Sequence, residues 1–251
     1  MKKNYAVLSF LFGLFVFNLY SQTTVDSFSP MMDNSIYSES TDKSSGGGYL
    51  FVGQTCNPNN ARRTLIQFDV SSIPAGSTIN SVTLEINVNR IAPGAPANQD
   101  YFLHRLTTAW GEGTSNAQSP GGSGDSAVAP DATWCYAIYD EEPSNAVEWV
   151  STIPDCSGGG GGDFVAMESA TENFTISTGS KTFNTSAGLV NDVQDWIDGV
   201  NPNYGWILMG TEGSGALCSA LRLGSKDFGT TAAPLLTIDY TPTLSVVSFE
   251  S

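Results

Sequence analysis

The sequence predicts an all-β fold, a sandwich of about ten short strands with one short helix crossing it. Three observations predict it. Residues 79–90 alternate, with Val82, Leu84, Ile86 and Val88 set against Thr83, Glu85, Asn87 and Asn89, so one face is buried and the other wet. Residues 64–70 carry the same period in Ile66, Phe68 and Val70 against Leu65, Gln67 and Asp69. The segment Ser71, Ser72, Ile73, Pro74, Ala75, Gly76 joins the two runs as a turn. Elsewhere, short apolar runs are separated by Gly, Pro, Asn and Ser, and no period of 20 to 50 residues marks a solenoid or propeller.

Further strands are expected at residues 49–52, 101–106, 164–170, 174–177, 206–210, 216–223 and 235–240. One stretch breaks the pattern. Leu189, Val193, Trp196 and Ile197 fall at i, i+4, i+7 and i+8, which predicts an amphipathic crossover helix over 189–197. Ser186 is placed to cap it, Asp192, Asp195 and Asp198 to line its outer side, and Gly199 with Pro202 to stop it. Trp196 is read as core. Residues 107–134 and 139–162 are long and irregular. The second ends in Cys156, Ser157 and five glycines, read as a flexible hinge, since no Lys-Ser/Thr pair follows to make a phosphate loop.

Met1, Lys2 and Lys3 precede an apolar stretch, residues 5–20, interrupted by Ser9, Gly13 and Asn18. A membrane span needs about 20 apolar residues, so residues 1–21 are expected to be a signal peptide cleaved between Ser21 and Gln22. The mature chain is then extracellular, secreted or on the cell surface, with no transmembrane segment. The remaining organisation is a lead-in over 22–32, one sandwich domain over 33–241 and a linker over 242–251. Loss of Lys2 and Lys3 takes the formal charge from −15 to −17. That charge, with no basic stripe to displace counterions, excludes a nucleic-acid partner.

Cys56, Cys135, Cys156 and Cys218 are an even number in a chain bound for an oxidising space, so two disulfides are expected. A zinc site would need closely spaced pairs, and His104 is the sole histidine. Cys135 with Cys156 and Cys56 with Cys218 is the preferred pairing, although the even count leaves all three connectivities open.

The order of motifs carries a resemblance. Asp33-Asn34-Ser35-Ile36-Tyr37 is followed by Tyr49-Leu50-Phe51-Val52-Gly53 and by the run from Arg62-Arg63 to Pro74-Ala75-Gly76. Then come Leu103-His104-Arg105-Leu106, Trp110-Gly111-Glu112-Gly113, Asp131-Ala132-Thr133-Trp134, Gly161-Gly162-Asp163-Phe164, Asp192-Val193-Gln194-Asp195-Trp196 and Asn203-Tyr204-Gly205-Trp206. This set resembles the DNRLRE domain family over about residues 33–240 and is similar to carbohydrate-binding module family 96. The resemblance implies a jelly-roll-like sandwich on secreted bacterial proteins, beside polysaccharide lyases and hydrolases, with an acidic polysaccharide such as alginate as ligand. The four cysteines depart from the family's pattern. Leu244-Ser245-Val246-Val247-Ser248-Phe249-Glu250 resembles the lead-in to a type IX secretion sorting domain, so the tail is expected either to be cut short before such a domain or to belong to a chain released by another route.

A site for an acidic glycan needs a flat aromatic and cations. Arg62, Arg63, Arg222 and Lys226 are the candidate cations, expected to share one groove, and an arginine fork suits a uronate carboxylate. Trp110, Trp134 and Trp149 lie in or beside the long loops, and Trp110 and Trp134 are the candidate platforms. Glu112, Asp131, Asp163 and Asp33, with Asn34, are candidate oxygen ligands for a structural calcium. His104 is expected to be structural. The expected function is a secreted, non-catalytic module for an acidic or algal polysaccharide. The alternatives are a structural or adhesive surface sandwich, and a polysaccharide lyase or glycosidase.

Overall fold

A computed structural model describes residues 22–117, 122–151, 159–227 and 232–243; the expected signal segment, Cys156 and residues 244–251 of the expected linker lie outside them. The elements are β1 (Thr24–Phe28), β2 (Pro30–Tyr37), β3 (Lys43–Ser44), β4 (Leu50–Gln54), β5 (Ala61–Phe68), β6 (Thr78–Ile91), β7 (Asn98–Arg105) and β8 (Asp125–Ser126). They continue as β9 (Tyr136–Ile138), β10 (Val147–Glu148), β11 (Ala170–Thr175), β12 (Gly179–Phe183), α1 (Ala187–Ile197), β13 (Trp206–Gly210), β14 (Leu221–Leu223) and β15 (Leu235–Thr241). The fold is all-β and sandwich-like, with antiparallel sheets and one α-helix among the described residues.

β6, the longest strand, organises the first layer. Its alternation puts Val82, Leu84, Ile86 and Val88 inside. It pairs with β12 on one side and, along the other, first with β15 and then with β14. β1 extends the layer beyond β15. The second layer runs β11, β7, β13, β5, with β2 on the far side of β5. β4 belongs to both layers: Leu50, Phe51 and Val52 pair with β14, while Gly53 and Gln54 pair with β5. Gly53 makes the corner. Its φ is +100°, and a Cβ there would stand 2.9 Å from the Ser219 carbonyl oxygen, so only glycine fits.

The inner faces enclose one core in which Phe68 meets Trp206 edge to face and Phe174 meets Phe183 across the layers. Each such fully buried side chain stabilises the fold by about 1.5–3 kcal/mol. The helix begins at Ser186, whose Oγ accepts from the Leu189 amide, and puts Leu189, Val193 and Trp196 into this core. Asp192 is not on the outer side as expected: it pairs with Arg105 and accepts from Trp206 Nε1, because the helix crosses where those two groups need an acceptor.

A second apolar layer covers the outside of the second sheet. Ile36, Leu65, Leu106, Trp110, Ala132, Ala137, Trp149 and Ile207 form it, with Trp134 and Phe164 packed against it. Leu65, read from alternation as solvent-facing, is therefore fully buried. The glycine run is no hinge in its described part. Gly160, Gly161 and Gly162 all have positive φ, and a Cβ on Gly161 would lie 2.4 Å from Arg63 Nη1.

Three other expectations change. The lead-in 22–32 contains β1 and the start of β2, because Thr24 to Phe28 find a partner in β15 at the far end of the chain. Residues 164–170 form only a single bridge, Leu106 with Phe164, before β11 begins at Ala170. Residues 216–223 contain a turn, with Cys218 at φ +65°, before the short β14. Cys218 is bonded to Cys56, tying the β4–β5 turn to the approach to β14. Cys135 is also disulfide-bonded.

Candidate functional site

An open groove of about 430 Å3 lies on the outside of the first layer where β4, β14 and the end of β6 meet. Strand alternation builds it. β14 turns Leu221 and Leu223 inward and leaves Arg222 outward, and β4 sends Leu50 and Val52 into the core and Phe51 out. Ile91 and Pro93 supply apolar wall, and Cys56 brings the disulfide to the edge. Arg222 lies 4.1 Å over the Tyr49 ring and donates from Nε to Asn89 Oδ1 at 2.6 Å. Arg62, also lining the groove, lies 4.6 Å over the Tyr37 ring, donates to both carboxylate oxygens of Glu39, and holds Gly122 O through Nε at 2.9 Å.

The third arginine of the groove is Arg90. It stands directly opposite Arg222 in the β14–β6 register and is exposed. Among the described residues it has no ion pair. Like charges opposed across an antiparallel pair repel, and together they make this part of the groove attractive to an anion. Sequence reasoning ended the strongest strand on Arg90 without marking it. The available signal was a cation where that strand leaves its core, just before Ala92-Pro93-Gly94.

Four cations were expected in one groove; two of them, Arg62 and Arg222, are brought together. Arg63 follows Arg62 in β5 and therefore points to the other face. There its fork clasps Glu212 at 2.8 and 2.9 Å, donates to Gly161 O at 2.7 Å, and lies 4.5 Å over Trp134. Lys226 Nζ contacts Glu112 and Asp227, each at 3.1 Å. Trp110 and Trp149 are buried in the outer apolar layer, their Nε1 atoms donating to Tyr204 O and Thr133 O. They offer no ring face to a ligand. Trp134 is half-buried under Arg63, away from the groove. The aromatics near the groove are instead Tyr49, Phe51 and Tyr37.

The carboxylates divide in the same way. Asp33 and Glu112 meet, and Asp227, unmarked in the sequence reading, joins them. The Asp33 amide donates to Glu112 Oε1 at 3.2 Å, and the Lys226 amide donates to Asp33 Oδ2 at 2.7 Å. Burial pushes the Asp33 carboxyl up to about 8 and that of Glu112 up to about 7. Asp131 and Asp163 stand elsewhere, as loop anchors. Asp131 accepts from the amides of Gly113 and Val128 at 2.7 and 2.8 Å. Asp163 accepts from the Val150 and Ser151 amides and the Thr108 hydroxyl. Asn34 fastens the same loops, donating to Ala132 O and accepting from Ser44 Oγ and two amides. His104 Nδ1 lies 3.0 Å from Val165 O, with its ring against Phe164.

Among the described residues no helix is long and apolar enough to cross a membrane. No protein-family model matches the chain, and comparison with the curated proteins finds no match.

Proposed function

We propose that the chain is a secreted, non-catalytic module that binds an acidic polysaccharide in the groove of Arg62, Arg90 and Arg222. The observation that carries this reading is the opposed pair Arg90 and Arg222, whose repulsion a bound carboxylate would relieve. Arg90 is the exposed arginine to which a uronate would add most, since Glu39 already matches Arg62. Phe51, Ile91 and Pro93 give the C–H face of a sugar ring an apolar floor beside those forks. The resemblance to the DNRLRE domain family, similar to carbohydrate-binding module family 96, supports the same ligand class. The mature chain's net charge of −17, from −15 less Lys2 and Lys3, does not oppose an anion here, because charges beyond about 8 Å are largely screened at physiological ionic strength.

Gel retardation in the presence of polyuronates tests the reading, with a neutral β-glucan as control. Alginate or polygalacturonate slows the native chain, and added salt weakens the effect. A charge-assisted hydrogen bond contributes about 1.5–3 kcal/mol, so Arg90→Ala weakens binding by about tenfold or more. Absence of retardation by every acidic glycan, or retardation of Arg90→Ala and Arg222→Ala equal to that of the native chain, refutes it.

A further inference from the structure

We propose that Asp33, Glu112 and Asp227 form a binding site for calcium, and that the Lys226 ammonium occupies part of this site when the ion is absent. A carboxylate oxygen from each of the three lies within 4.8 Å of the others. They arrive from distant segments: Asp33 from β2, Glu112 from the loop after β7, and Asp227 from the turn after β14.

The cluster alone would mean little, since acidic groups gather on many surfaces. Asp33 supplies the second observation. It is fully buried, and among the described residues its Oδ1 has no hydrogen-bond partner. Buried polar atoms are almost always satisfied, by protein, by water or by an ion. The other oxygen, Oδ2, accepts from the Lys226 amide, while Lys226 Nζ goes to Glu112 and Asp227. Three carboxylates thus share one ammonium, and the most buried of them is left without a cation of its own.

The donor set selects the ion. All donors are carboxylate oxygens, with no thiolate or imidazole among them, which suits a hard cation. Three carboxylates binding through one or both oxygens approach the coordination number of 6–8 that calcium accepts in irregular geometry. Glu112 is nearly buried and Asp227 is open, so water completes the shell from one side. Magnesium would demand a near-ideal octahedron that ligands from three separate segments are poorly placed to supply.

An ion here ties β2 and two loops together, so it stabilises the folded chain by mass action. The test is thermal unfolding and calorimetric titration of the full chain after chelator treatment. At a calcium concentration about a hundredfold above its dissociation constant, the midpoint rises by about 5–10 °C, and magnesium gives less. Asp227→Asn, a substitution at an exposed position, unfolds cooperatively without calcium but binds it at least about tenfold more weakly. Lys226→Met removes the competing ammonium and binds calcium more tightly than the native chain, an effect that a purely structural lysine would not produce. Absence of saturable calcium binding by the native chain overturns the site. So does calcium affinity that Asp227→Asn and Glu112→Gln leave unchanged. These measurements read unfolding and ion binding without any glycan, so they stand or fall separately from the polysaccharide reading.

Discussion

The space between the two sheets and the space outside the second sheet are both apolar, but they are closed by different means. Between the sheets, strand faces two residues apart meet each other, and Val82, Leu84, Ile86 and Val88 need nothing but the pleat to find the core. Outside the second sheet the cover is irregular chain. Its apolar contacts, Trp110, Ala132 and Trp149 on Leu65 and Ile207, are held in place by side chains that pair with the loop backbone: Asn34 donates to the Ala132 carbonyl, and Asp131 and Asp163 accept from loop amides. The inner core is thus a product of periodicity, and the outer layer a product of side-chain hydrogen bonds to backbone.

Removing large side chains from each layer should expose this contrast most strongly. Phe68→Ala leaves a cavity where Phe68 meets Trp206 and lowers global stability by about 3–5 kcal/mol, read as a shifted urea midpoint. Trp110→Ala opens the outer layer locally. Limited proteolysis should then cut within residues 107–162 under conditions where the strands stay protected from hydrogen exchange. Equal loss of protection in β6 and in the loops after Trp110→Ala would mean that the two layers are one cooperative unit.

The same contrast explains what the sequence made legible. β5, β6, β15 and the helix follow from period 2 or period 3.6, β13 from a short apolar run, and each lies against the inner core. Leu65 was misassigned because alternation knows only one buried face, whereas this strand has two. A glycine run reads as slack because it has no side chains to show packing; residues 160–162 are glycines because Trp134 comes too close to Gly160, Arg63 and Trp134 to Gly161, and Ile207 to Gly162 for a Cβ. The groove was half legible: arginine identity pointed to Arg62 and Arg222, and only the register of β14 against β6 adds Arg90. Asp33 and Glu112 were marked for oxygen chemistry, but nothing local links them to Asp227. The nearest clue was the neighbouring Lys226.

Removing one anchor, without touching an apolar group, sharpens the comparison at intermediate size. Asp131→Ala leaves the buried carbonyl-like acceptor role empty and the amides of Gly113 and Val128 without a partner. Leaving such groups unsatisfied costs about 1–3 kcal/mol. The cost falls on the outer layer, so proteolysis of the loops accelerates more than the urea midpoint moves. A change confined to the urea midpoint would place Asp131 in the same unit as the inner core.

The smallest effect is set by pH, and it separates the anchors from each other. For Asp163 burial raises the carboxyl, but donations from the Ser151 hydroxyl and amide, the Val150 amide and the Thr108 hydroxyl outweigh it and hold the group below its ordinary value. A depressed carboxyl contributes stability that is complete above its unfolded value near pH 4 and is lost as pH falls through the folded value. Asp131 shifts the opposite way: burial raises it, more than the hydrogen bonds from Ser115, Val128 and Gly113 lower it. Its folded form holds a proton longer than its unfolded form, so its contribution weakens as pH rises from about 4. Hydrogen-exchange protection factors therefore respond in opposite directions on acidification from about pH 5 to about pH 3. The amides of Val150 and Ser151 lose protection, and those of Gly113 and Val128 keep or gain it. Parallel loss at all four amides would show that the outer layer opens as one body, with the two carboxylates acting through a shared equilibrium instead of each holding its own turn of chain.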